Sequence, residues 1–169
     1  YALMKVGQET FGQSTRYADP SFFDMFSVEF SQGNQGDFTS PNVTAIDEST
    51  AERLGITELD GSQVLELAFG DDVQLFQING IFKDFPVNSS IRPRVILPFA
   101  FWKTRVPERR LSQWFDINMN TFFLLEKNAD VPTVADGMTK LMNDNEDFGE
   151  MKVSLGLQGL KEIHTDKVL

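Results

Sequence analysis

The chain has 169 residues, no cysteine, a single histidine, and 25 acidic against 15 basic residues for a net charge of −10. Without thiols it forms no disulfide, iron–sulfur centre or Cys/His zinc site, and a field of that sign repels a phosphate backbone, which argues against nucleic acid as a partner. Its 41% apolar and 24% charged residues are the balance of a folded chain, one domain or two small lobes, able to bury a core without a covalent staple.

Phenylalanine supplies 16 of the aromatic residues against two each of Tyr and Trp, and a ring without a polar tip fills a core with nothing left to hydrogen-bond. Along the chain, Asp19-Pro20 signals a helix start, with Phe22, Phe23 and Phe26 on one face of a short helix. A Gly/Asn turn follows at residues 33–36. Val43–Ile46 reads as a strand entering a helix over Glu48–Leu54, where Ser49 and Glu52 have capping-box spacing and Gly55 takes the C′ position. Val64–Phe69 and Val73–Phe82 flank the turn triplet Gly70-Asp71-Asp72 and predict a hairpin. Strict alternation in its second arm puts Phe76, Ile78, Gly80 and Phe82 on one face and Leu75, Gln77, Asn79 and Ile81 on the other.

After the loop Pro86–Ser90 comes a short strand at Arg94–Leu97, then an irregular stretch, 98–118, carrying Trp102 and Trp114. Asn120–Glu126 is expected to be a strand, Asp130 and Pro132 open a helix with Val134, Met138, Leu141 and Met142 on one side, and Lys152–Leu157 closes as a strand. The class is α+β. The change of pattern predicts boundaries near Asp19 and between Trp102 and Asn120. It also predicts Phe22, Phe23, Phe26, Phe76, Ile78 and Phe82 as buried, most of them in one cluster.

Chemistry is sparsely signalled. A Ser-His-Asp triad would need His164 beside Asp166, and no Gly-x-Ser-x-Gly elbow presents a nucleophile; an ordinary surface histidine is the simpler reading. Asn143–Gly149 has the acidity of a calcium loop but puts Phe148 at position 6 and Ser154 at position 12, so a solvated turn is expected instead. Neither a phosphate-cradling glycine motif nor a carboxylate pair stands out. No catalytic residue, cofactor or metal is therefore expected. The longest apolar stretch, Val95–Trp102, falls far short of the roughly 20 residues that span a bilayer, and a chain opening at Tyr1 reads as cut from a longer one.

Charge is unevenly placed: residues 1–84 hold 4 basic and 14 acidic groups, residues 85–169 hold 11 of each. Arg92, Arg94, Lys103, Arg105, Arg109 and Arg110 face a single acid, Glu108. With Trp102 and Trp114 nearby they form the candidate interaction surface, suited to an anionic partner or lipid headgroups. The alternative is that these arginines pair with the acidic first half.

Four runs together resemble the extracytoplasmic core domain of MacB/FtsX-type ABC transporter permeases: residues 16–26 (RYADPSFFDMF), 43–55 (VTAIDESTAERLG), 76–91 (FQINGIFKDFPVNSSI) and 157–164 (LQGLKEIH), the last departing from the family pattern at Gly159 and Glu162. The resemblance implies a periplasmic, non-catalytic domain between two membrane helices of a permease. It has two lobes, porter-like over 1–18 plus 115–169 (incomplete at its N-terminus) and an inserted strand-rich lobe over 19–114. It also implies a cytoplasmic ABC ATPase subunit as partner through the parent's membrane helices, a second permease copy, and a periplasmic partner protein or exported substrate. The rival readings are a free-standing periplasmic or secreted peptide- or sugar-binding module and a carboxylate-based hydrolase. Apolar segments of about 20 residues on both sides of this piece in the parent chain would separate the permease from the free-standing binder.

Overall fold

The computed structural model describes residues 2–6, 9–113, 119–146, 148–160 and 162, with 5, 6, 9, 10 and 13 described by backbone alone. The chain forms two compact units, Tyr1–Pro107 and Glu108–Leu169. The first is built on a mixed sheet of β1 (Ala2–Val6), β2 (Glu9–Gln13), β3 (Thr15–Ala18), β4 (Phe30–Gly33), β5 (Val43–Asp47), β6 (Val64–Phe69), β7 (Asp72–Phe82) and β8 (Val95–Pro98). Three helices flank it: α1 (Ser21–Met25), α2 (Glu48–Arg53) and α3 (Phe99–Arg105). The strand order is β2-β1-β6-β7-β5-β8-β3, with β4 also paired to β7. The pairs β5/β7 and β3/β8 are parallel and the others antiparallel.

This is not the division expected from sequence. Residues 2–18 are paired inside the first unit: β1 bonds β6 through the Leu3↔Ala68 and Met4↔Leu67 positions, and β3 runs beside β8 from Thr15↔Val95 to Ala18↔Pro98. Backbone groups in a ladder need their partners, so these strands hold residues 2–18 in the first unit and no boundary falls at Asp19.

Local signals translate well where they are self-contained. Asp19 accepts a hydrogen bond from the Ser21 N–H at 2.9 Å, and Pro20 already has helical dihedrals (φ −59°, ψ −28°), as a first-turn proline should. Helix α2 ends as its glycine requires: Gly55 takes φ +71°, its N–H bonds the Glu52 carbonyl, and the Ile56 N–H reaches back to Ala51. Its start differs. The N-cap is Asp47, accepting from the Thr50 N–H at 2.8 Å, while the Ser49 hydroxyl bonds Asp84 instead. The hairpin closes through Gly70 and Asp71, with Phe69 paired to Asp72 and Gly70 at φ +68°.

Both faces of the sheet centre are buried, which splits the core in two. One cluster holds Met4, Ile46, Leu65, Leu67, Phe76, Ile78, Ile81, Val95, Leu97 and, from the helices, Ala51 and Phe101. The other holds Ala45, Phe82 and Ile96 under Phe23 of α1 and Phe38. Alternation in β7 fails at Asn79, where the register with β5 shifts between Thr44↔Ile78 and Ala45↔Gly80. The extra residue turns Ile81 to the side of Phe76 and Ile78 and sends Phe82 to the other, as a β-bulge must. Phe23, Phe76, Ile78 and Phe82 are buried as expected but divided between the two clusters, and Phe22 and Phe26 are half-buried.

The second unit carries α4 (Glu108–Leu111) and α5 (Val131–Asn145), the latter capped by Asp130, which accepts from the Thr133 N–H at 3.2 Å. Residues 120–126 and 152–157 were expected as strands, but among the described residues neither joins a ladder. Segment 153–155 bonds side chains of α5. The Leu155 N–H donates to Thr139 Oγ1 at 2.9 Å and the Asn143 amide donates to the Val153 carbonyl at 2.8 Å. Thr139 and Asn143 are four residues apart and share a helix face, so they supply the polar edge that a neighbouring strand would otherwise provide.

Candidate functional site

The candidate basic segment begins in the turn before β8. Arg92 and Arg94 are exposed there, and the Arg94 backbone is held at both ends: its N–H bonds the Ser14 carbonyl at 3.3 Å and its carbonyl accepts from Asp47 at 2.9 Å. Pro98, the last residue of β8, leads into α3, whose residues 99–105 (FAFWKTR) bury Phe101 and place Lys103 and Arg105 in the last turn, the end a helix dipole favours for cations. Phe101 contacts three rings, with centroid separations of 4.8 Å to Phe76, 5.5 Å to Phe69 and 6.3 Å to Tyr17. On its outer side Trp102 stacks on Phe99 at 5.0 Å, and the Lys103 ammonium lies 5.5 Å over the same Phe99 ring.

Arg105 is committed to the fold. Its guanidinium lies 5.1 Å from the Phe69 ring centre and 5.5 Å from that of Phe101, and it is ion-paired to Asp72 at the hairpin turn. The guanidinium holds the Asp72 carboxyl below the ordinary range, helped by Gln74, while burial raises the Tyr17 phenol against the pull of the same Arg105. One of the six basic residues thus pairs with the acidic half of the chain and pins the hairpin tip to α3. Arg109 and Arg110 lie on α4, in the other unit, and Trp114 and His164 fall outside the described residues. The structure therefore brings Arg105, Lys103 and Trp102 together on one helix and gives Arg105 a structural partner.

Arg105→Ala is expected to lower the unfolding free energy by about 1 kcal/mol, chiefly through lost contact with two rings, because a partly exposed ion pair adds little. Urea unfolding should show the loss persisting at high salt. Arg105→Lys should recover less than half of it, since an ammonium cannot lie flat on both rings. A loss that salt erases would assign the residue to its charge alone.

Missed by sequence reasoning is a carboxylate pair at the start of α2. Asp47, 4% exposed, caps Thr50, and Asp84, two residues past β7, accepts from the Ser49 N–H at 3.0 Å and from its hydroxyl. Burial pushes the Asp47 carboxyl up, the Thr50 bonds and Arg94 pull it down, and the Asp84 charge adds to the rise. The net shift is upward, so the folded chain keeps a proton on Asp47 at pH values where the unfolded chain has released it. Stability from this group is then greatest at low pH and falls as pH rises from the ordinary aspartate range through the raised value. Asp47→Asn keeps the cap and removes the titration. Its unfolding free energy relative to wild type should rise between about pH 3 and pH 7, measured by urea midpoints; a constant difference would mean that Asp47 titrates normally.

Among the described residues no group of three or more His, Asp or Glu is placed to hold a metal ion, and no helix is long and apolar enough to cross a membrane. In the last turn of α5, where the acidic segment begins, the Asn143 and Asn145 amides are spent on the Thr139, Val153 and Leu141 carbonyls.

This fold has known relatives. The chain belongs to the MacB-like periplasmic core domain family, whose model matches residues 2–141. Its fold is similar to a domain of a protein provisionally designated a permease from Porphyromonas gingivalis, with TM-score 0.67 and 21% identity, covering 96% of this chain and 76% of that one. It is also similar to the extracellular domain of the noncanonic ABC-type transporter YknZ from Gram-positive bacteria, with TM-score 0.60 and 14% identity over 94% and 77% of the two chains. Against the periplasmic region of MacB from Actinobacillus actinomycetemcomitans the TM-score is 0.52 at 15% identity; 85% of this chain aligns and it spans 62% of that region. A search of curated protein sequences finds no match.

Proposed function

We propose that this chain is a non-catalytic, extracytoplasmic module of an ABC transporter permease. In this reading, ATP hydrolysis by a cytoplasmic ATPase subunit moves the parent's membrane helices, and this module passes the movement to a substrate or partner protein outside the inner membrane, with a second permease copy completing the transporter. The observation that carries the reading is the family match over residues 2–141, supported by a fold shared with extracytoplasmic regions of two transporters. Transmission of movement suits the first unit. Its sheet is packed on both faces at the centre, and α3 is tied to the hairpin tip by Arg105, so a push at one edge is carried by a stiff body. Arg92 and Arg94 before β8, and Lys103 beside Trp102 on α3, are the parts of the basic segment we assign to an anionic partner in this unit, with Arg109 and Arg110 a separate group on α4.

The test uses the parent permease co-expressed with its ATPase and reconstituted in vesicles. Replacing residues 2–141 by a flexible linker should leave ATP hydrolysis intact and abolish its coupling to transport or partner release. Transport that survives the replacement, or a parent without membrane-spanning segments on both sides of this piece, would overturn the reading. In the second case a free-standing binding module is left.

A further inference from the structure

The second core cluster covers only part of the sheet face on which it lies. From Phe82 and Ala45 that face is roofed by Phe23 and Phe38, but towards β6 and β1 the roof ends. There β1, β6 and β7 turn outward Leu3 (48% exposed), Val64 (56%), Val73 (52%) and Leu75 (60%), while their neighbours Met4, Leu65, Leu67 and Phe76 are buried on the opposite side. Register makes these four residues one patch. Leu3, Ala68 and Val73 form one rung across three strands, Glu66 stands opposite Leu75 on the next outward rung, and Val64 stands opposite Gln77 on the one after. An antiparallel sheet with one wet face normally alternates apolar-in with polar-out; here both sides are apolar, with an exposed carboxylate, Glu66, in the middle of the outer one.

We propose that this face of β1, β6 and β7 is a docking surface for a polypeptide that presents a lysine or arginine among apolar side chains. Charge selects that occupant. Glu66 offers an acceptor at the centre of the patch, and the net charge of −10, all of it within residues 1–84, attracts a basic partner and opposes a second copy of the same chain. Anionic lipid is disfavoured on the same ground. The four aliphatic residues supply the area that desolvation needs around the ion pair. The assignment rests on reading this chain as a partner-handling module, and it names a contact separate from the basic segment.

The probe is a synthetic fluorescent β-hairpin with alternating valine and lysine, compared with the same hairpin carrying glutamate for lysine. Anisotropy with the 169-residue chain should show the lysine hairpin bound and the glutamate hairpin not. Val73→Thr with Leu75→Thr keeps strand propensity and should weaken binding about tenfold or more. Glu66→Gln should weaken it less and flatten its salt dependence. Glu52→Gln, on the helix that packs on the opposite face, should change nothing. Because the chain has no cysteine, Leu75→Cys gives a readout that does not depend on the double variant folding: alkylation should slow when the lysine hairpin is added, whereas at Glu52→Cys it should not. Equal binding by the threonine variant, no protection of the thiol, or equal binding of both hairpins would overturn the proposal. So would sedimentation showing a wild-type dimer that Leu75→Thr dissociates, which would make the occupant a second copy. Each of these outcomes leaves the linker-replacement test of the permease reading unaffected.

Discussion

Phe101→Ala is expected to cost about 3–5 kcal/mol, the range for truncating a buried phenylalanine, and to be among the most damaging single changes in the first unit. Phe101 is 4% exposed and packs edge-on against Phe76 at 4.8 Å while also meeting Phe69 and Tyr17. Removing the ring leaves a cavity bounded by three aromatic side chains, and aromatics relax poorly into such space because their rotamers are few. It also takes away one of the two rings beneath Arg105, so the ion pair to Asp72 loses its seat. Against a total stability of roughly 5–15 kcal/mol, the loss should be plain in urea unfolding as a lower midpoint with an unchanged slope. Phe101→Leu fills much of the volume and should cost less than half as much. A Phe101→Ala protein that unfolds within about 1 kcal/mol of wild type would mean that α3 is only loosely attached to the sheet.

Elements whose signals are local were legible in the chain, and those that depend on distant partners were not. Asp19-Pro20, Gly55, Gly70-Asp71 and Asp130-Pro132 each specify a cap or turn within a few residues, and α1, α2, the β6–β7 hairpin and α5 stand where those signals put them. Strands β1 to β4 carry no comparable mark. Strands β1, β3 and β4 exist because β6, β8 and β7 bond them, at separations of up to about 80 residues along the chain, and β2 is held in turn by β1. The converse holds in the second unit, where Phe122–Leu125 has strand-forming residues but no ladder among the described residues. The bulge at Asn79 is equally silent in sequence, since one extra residue reverses the alternation that assigned Ile81 to the wrong face. The basic segment was visible as charge, but its strongest bond, Arg105 to Asp72, spans 33 residues and required the hairpin tip to be placed beside α3. Alternation in β7 set Leu75 on the face opposite Phe76 and Ile78. Only the extent of the roof over one face reveals that Val73 and Leu75 stay in solvent.

Gly80→Ala should destabilise the first unit by about 2–3 kcal/mol, the upper part of the usual range for overpacking. Gly80 lies in β7 just past the bulge, opposite Gly33 of β4. A methyl group built there would run into the Phe30 ring and the Asn34 backbone carbonyl. The ring occupies the space a side chain would take, the arrangement by which an aromatic neighbour covers a strand glycine, and the carbonyl belongs to the turn after β4, which is tied back by the Asn34 N–H to Asn79 at 3.1 Å. Neither obstacle can move cheaply: Phe30 packs on the second core cluster, 5.5 Å from Phe23 and 6.5 Å from Phe82, and shifting the turn breaks its bond. Gly12→Ala is the control, because a methyl there meets nothing within 4 Å, and it should be neutral or slightly stabilising. Pairing Gly80→Ala with Phe30→Leu should recover part of the loss by clearing the ring but not the carbonyl, so that the two changes are non-additive in a double-mutant cycle. Strict additivity, or a Gly80→Ala protein as stable as wild type, would show that β4 is free to move away from β7.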